Sequence, residues 1–216
     1  MELVTLAIGG IVILVTAGVA WVIDKYVEVQ RKNREIDALR TAIAQYAQTY
    51  SFEDCDVKII NKCRKYISRK FGNNIEGAFA KCETMEAKKQ FATEIVKELS
   101  ECMGVDVDKV VFEDLGLFTR GCANSENGKM YIVLNEALLI ADPEQLVKTT
   151  CHELRHCIQF QSFSDNKWGF SSQRVAQWLY SWHHYVDCGS AEAYEAYQQQ
   201  IIEIDARNFA DAVFNS

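Results

Sequence analysis

Residues 3–23, LVTLAIGGIVILVTAGVAWVI, carry no charged side chain. As a helix such a run spans roughly 30 Å, the thickness of a bilayer's hydrocarbon core. A cleaved secretory leader would place basic residues ahead of a shorter apolar segment. Here only Met1 and Glu2 come first. The run therefore reads as an uncleaved transmembrane anchor, residues 1–24. Lys25, Arg31, Lys32 and Arg34 follow it, and positive flanks stay on the cytoplasmic side. The expectation is a single-pass membrane protein with its large domain in the cytoplasm.

Residues 25–50 continue as a helical stalk. Ile36, Leu39, Ile43 and Tyr46 recur at spacings of three and four, a short seam for packing on its own domain or for self-association between stalks. Residues 51–216 form the body. Periodic apolar positions predict helices over 52–70, 74–103, 172–186 and 191–214. Strand-like material is confined to KVVF, LFTRGCA and KMYIVL between Lys109 and Leu134, with NSENG as a hairpin turn. Asp142 fits an N-cap, Pro143 the first helical position and Gln145 a capping-box partner. The class expected is α+β, mostly helical.

A net charge of −7 and the lack of a basic stripe argue against a nucleic-acid partner. The eight cysteines show no C-x-x-C spacing. With a cytoplasmic body they are expected as reduced core residues, not as a disulfide framework.

The helix predicted to start at Pro143 runs into HELRH, residues 152–156. His152 and His156, one turn apart, can aim imidazole nitrogens at one point, which supplies two ligands of a tetrahedral zinc site. Glu153 then sits beside the open coordination position, where it can take a proton from water on the metal. For a third ligand, IIEIDARNFA near the carboxyl terminus offers Glu203 and Asp205, about 200° apart around a helix, so both cannot face the metal. The apolar face of Ile202, Ala206, Phe209 and Val213 lies nearer Asp205, while the longer glutamate arm can reach from its flank.

HELRH, preceded by the KMYIVLN strand and followed by EIDARNFA, resembles the zincin metallopeptidases, most closely the glutamate-zincins. The likeness covers about residues 110–214 and implies a zincin-like domain with a small sheet, an HExxH helix and a later glutamate-bearing helix. It implies Zn2+ on His152, His156 and Glu203, with Glu153 as general base and Asp205 in support. It also implies a peptide or protein substrate laid along the sheet's edge strand, matched to residues 130–134. The metzincin continuation is absent, since Cys157 to Ser162 contain neither the glycine nor the third histidine. Some glutamate-zincins place an aspartate four residues after the ligand glutamate, where this chain has Arg207.

Adjacent His183 and His184 point about 100° apart, so at most one could serve the site. Tyr185, Tyr194 and Tyr197 are equivalent choices for an oxyanion donor. The expected function is a membrane-anchored zinc metallopeptidase. The alternatives are an inactive zincin-fold binding or sensor protein and a membrane-tethered assembly protein. A structural metal would be closed by four protein ligands, whereas a hydrolase leaves one position to water.

Overall fold

The computed structural model of the chain describes residues 2–72, 74–140, 142–187 and 191–214, with the backbone alone for 2–23, 39, 47, 191 and 192. It divides into two units, Met1–Thr49 and Tyr50–Ser216. The first is one helix, α1 (Glu2–Thr49), with exposed ion pairs on its surface such as Lys32–Glu28 at 3.2 Å. The side chains of the expected membrane span 3–23 lie outside the described residues. Among the described residues, no helix is long and apolar enough to cross a membrane.

The second unit is α+β, dominated by helix. Its order is α2 (Asp54–Phe71), α3 (Ile75–Ala80), α4 (Met85–Met103), β1 (Val107–Glu113), β2 (Gly121–Glu126), β3 (Lys129–Asn135), a 3-10 turn (Glu136–Leu139), α5 (Pro143–Ser162), α6 (Ser172–His183), α7 (Ala191–Gln198) and α8 (Ile201–Phe214). The sheet runs β1-β3-β2, with β3 parallel to β1 and antiparallel to β2. Asn127 and Gly128, at φ 53° and 77°, make the two-residue turn between β2 and β3. Two successive positive φ values give the tight twist that a two-residue hairpin requires. The strand over residues 130–134 is therefore the central one, and the edge strand beside α5 is β2. This corrects the placement implied by the family likeness.

Two expected helices are each broken in two, and in both cases a local polar side chain wins over apolar periodicity. The 74–103 segment stops after Ala80 and restarts where the Thr84 hydroxyl accepts from the Ala87 amide at 3.2 Å. The 191–214 segment breaks at Gln200, whose side chain accepts from the Val186 amide at 2.8 Å and donates to its carbonyl at 2.9 Å.

Helix α5 is the centre of the unit. Asp142 caps it, accepting from the Glu144 amide at 2.8 Å, and Pro143 opens it. Gln145 does not close a capping box; its side-chain oxygen accepts from Arg120 at 2.6 Å. Packing against α3, α4, α6, α8 and the sheet buries 13 of its 20 residues, so its polar side chains must be satisfied inside the protein. Leu146, Leu154 and Ile158 meet Ile95, Leu99 and Phe209 in a core that excludes solvent completely. Cys63, Cys151 and Cys157 belong to that core, where burial pushes their thiols up and leaves them as small apolar residues. None of the seven described cysteines is bonded to another.

Candidate metal centre

The two histidines of α5 point across its interface with α8, the most extensive helix pairing in the unit. Glu203, in the first turn of α8, meets them there and is 1% exposed. His152 Nε2 lies 3.2 Å from Glu203 Oε2, His156 Nε2 3.4 Å from Oε1, and the two Nε2 atoms are 3.0 Å apart. One donor atom from each residue falls within 4.8 Å of the others, so the group could hold a metal ion. Two imidazole nitrogens and a carboxylate that converge in this way form a donor set suited to a cation. Glu203 Oε2 is buried without a well-aligned hydrogen-bond donor, which fits the role of a metal ligand.

The charges follow from this crowding. Burial pushes Glu203 up, but His156 and His152 outweigh it and hold the carboxyl well below its usual range. Burial pulls His156 down, but Glu203 outweighs it and holds the imidazole up at about 9. Glu153, 5% exposed, differs from both. Burial pushes its carboxyl up, and the nearby imidazoles and a hydrogen bond from the Ala123 backbone offset only part of that. It is thus the one carboxyl of the site with an increased proton affinity.

A hydrogen-bonded chain behind the donors fixes their orientation. His156 Nδ1 lies 2.8 Å from Gln159 Oε1, a geometry in which the ring donates and Nε2 faces the site. Gln159 in turn donates to the Ile202 carbonyl at 3.0 Å and to Asp205 Oδ2 at 2.7 Å. Asp205 also accepts from Arg155 Nε at 2.7 Å, Arg174 at 3.2 Å and the Tyr50 hydroxyl at 3.2 Å. Arg155, fully buried, sits 4.9 Å from the ring centres of Phe170, Trp178 and Phe209. Its Nη2, which donates to Asp205 Oδ1 at 3.1 Å, also lies 2.7 Å from Asp56 Oδ1, an ion pair off the hydrogen-bonding axis. Glu203 and Asp205 are both buried but face different neighbours, the first the histidines and the second the arginines.

A cavity of about 360 Å³ opens onto His152, Glu153 and Glu203, lined also by Tyr194, Tyr197, Gly121 and three cationic side chains. Gly121, the first residue of β2, lets the strand approach α5: an added Cβ would stand 3.0 Å from Glu153 Cγ and 3.1 Å from Thr149 Cγ2. Of the three tyrosines, Tyr197 lies against Glu203 and Glu153, and burial followed by Glu203 pushes its hydroxyl up. Tyr194 stacks on it at 6.2 Å, and Tyr185 touches its edge from outside the cavity. His183 and His184 are exposed at the end of α6; His184 bonds the Tyr180 carbonyl at 2.8 Å, and neither lines the cavity.

Sequence reasoning missed Gln159, Arg155, Asp56 and Gly121. Gln159 had a usable signal, since it stands three residues after His156 on the same helix face. The arginine cage and the close approach of Gly121 had none, because their partners are distant in the chain. No family model, curated protein or solved structure matches the chain.

Proposed function

We propose that this chain is a membrane-anchored zinc metallopeptidase of the glutamate-zincin type, held by residues 3–23 and acting on a peptide or protein substrate. The observation that carries the reading is the convergence of His152, His156 and Glu203 with Glu153 beside them on the open side of the cavity. Two imidazoles and one carboxylate suit zinc, and three protein donors leave a fourth position open, as in catalytic sites. Bound there, zinc would polarise a carbonyl and make water acidic near neutral pH.

The remaining roles belong to the chain. Glu153 accepts the proton from water and returns it to the leaving amine, which its increased proton affinity favours. Tyr197 is placed to donate a hydrogen bond to the oxyanion. The outer edge of β2 offers backbone groups on which an extended peptide can add as a strand. Gln159 and Asp205 hold the His156 ring in position.

The test uses the full chain in detergent, loaded with zinc, and an unbiased peptide library. Glu153→Gln is expected to retain about one zinc per chain and to lose cleavage by at least about 100-fold. Equal cleavage by the variant would remove Glu153 from the mechanism. A wild-type chain that holds no zinc would remove the peptidase reading altogether.

A further inference from the structure

The cavity over the metal donors is lined by as many acidic as cationic side chains, but they are not all paired with one another. Arg120, Lys148 and Arg207 line it together with Glu153, Glu203 and Asp211. Lys148 is neutralised by Asp211, whose Oδ1 lies 2.5 Å from Nζ. Glu203 faces the two histidines, and Glu153 accepts from the Ala123 backbone. The two arginines are different. Arg120 donates from one nitrogen to the neutral Gln145 side chain, and Arg207 from one nitrogen to the Gln198 carbonyl. Among the described residues, no carboxylate pairs with either guanidinium.

Their placement is informative. Arg207 is one turn beyond Glu203 on α8 and so shares its side of the helix. Arg120 directly precedes Gly121, where β2 passes close to Glu153. Each has nitrogens left over for a further acceptor, and a guanidinium presents five donors in a fork that matches a carboxylate. What sets these two arginines apart is their place, lining the cavity beside the candidate reaction centre.

We infer that Arg207 and Arg120 recognise a carboxylate on the substrate, so that the cleft selects peptides with an acidic group within a few residues of the cleaved bond. This rests on the peptidase reading for the bond cleaved, but not for the binding preference. Two sources share this chemistry, an acidic side chain and the free carboxyl end of a short peptide. A charge-assisted hydrogen-bonded pair of this kind is worth roughly 10- to 100-fold in selectivity.

The experiment uses the zinc-loaded full chain and internally quenched peptides in matched pairs, Glu against Gln at each position near the cleaved bond. Each is made with a free and with an amidated carboxyl end. The expected result is a preference of about 10-fold or more for one acidic member, reduced by added salt and collapsing toward unity in Arg207→Gln or Arg120→Gln. Arg207→Lys, which keeps the charge but not the fork, should retain part of it. A preference that follows the free end instead of Glu assigns the carboxylate to the chain terminus. Equal turnover of all members, or a preference unchanged in both variants, overturns the inference. If no peptide is cleaved, binding of the same pairs to zinc-loaded Glu153→Gln protein by fluorescence anisotropy decides it. Selective binding without cleavage sinks the peptidase reading and keeps the carboxylate site, whereas non-selective binding sinks the carboxylate site.

Discussion

Removing the charge of Asp205 should cost stability, whereas removing that of Glu203 should cost metal. Asp205 is fully buried and accepts from Arg155 twice, at 2.7 and 3.1 Å, from Arg174 at 3.2 Å, Gln159 at 2.7 Å and Tyr50 at 3.2 Å. Asp205→Asn keeps the shape but leaves Arg155 with less compensation. Breaking a buried ion pair from one side costs about 3–5 kcal/mol. Asp56 still lies 2.7 Å from Arg155, which puts the expectation near the lower end, about 3 kcal/mol, or a melting temperature lowered by about 6–12 °C for a chain of this size.

Asp56 is the internal comparison. Burial outweighs Arg155 there and its carboxyl is pushed up, whereas at Asp205 Arg155 outweighs burial and the carboxyl is held down. A raised folded-state pKa means that the fold favours the protonated Asp56 and loses that contribution as pH rises. Asp56→Asn should therefore cost less than Asp205→Asn, although it too removes a charge that faces Arg155 at 2.7 Å. Thermal melts followed by tryptophan emission, with Trp178 stacked on Arg155, give the stabilities in chelator. Zinc competition gives the affinities. Glu203→Gln should lose zinc most severely and also give up in chelator the contribution of its pairing with His156, while Asp205→Asn should melt low and weaken zinc by about 10–100-fold. If Asp205→Asn melts like wild type, or loses zinc more than Glu203→Gln does, the division of labour drawn here is wrong.

Gln159→Leu, which cuts the link from His156 to Asp205, should weaken zinc by about 10–100-fold in a competition titration; unchanged affinity would show that the ring needs no such support. Gly121→Val, whose Cβ would meet Glu153 Cγ at 3.0 Å and the Val133 carbonyl at 3.1 Å, should reduce cleavage with zinc content retained, and undiminished turnover would mean that β2 can yield at that point. The full chain should stay with membranes through an alkaline wash, held by residues 3–23, with external protease unable to reach the body in intact cells; release by the wash would remove the anchor, and digestion from outside would reverse the orientation.

What was legible in the sequence was whatever a single helix determines. Asp142 and Pro143 fix where α5 starts, and a spacing of four puts His152 and His156 on one side of it whatever surrounds the helix. The same applies to the hairpin, because Asn127-Gly128 carries its own turn geometry. The breaks in the helices were less legible, since Thr84 and Gln200 act through side-chain hydrogen bonds to the backbone that periodicity does not register. Least legible was anything that joins distant segments: which strand lies at the sheet edge, and which arginine meets which aspartate.

The choice between Glu203 and Asp205 shows why apolar periodicity alone misleads at such a site. Asp205 lies nearer the apolar face and is the more deeply buried, yet its depth reflects Arg155, an equally buried cation on α5 that needs a counter-charge. Burial of an acid is evidence for a cation, not for a metal. Arg155 occupies a position of HELRH that the motif leaves open, one residue before His156 and so about 100° from it around α5. One helix thus presents two sets of partners to α8. Its histidines meet Glu203, its arginine meets Asp205, and the 200° between those two acids lets a single helix-helix interface satisfy both.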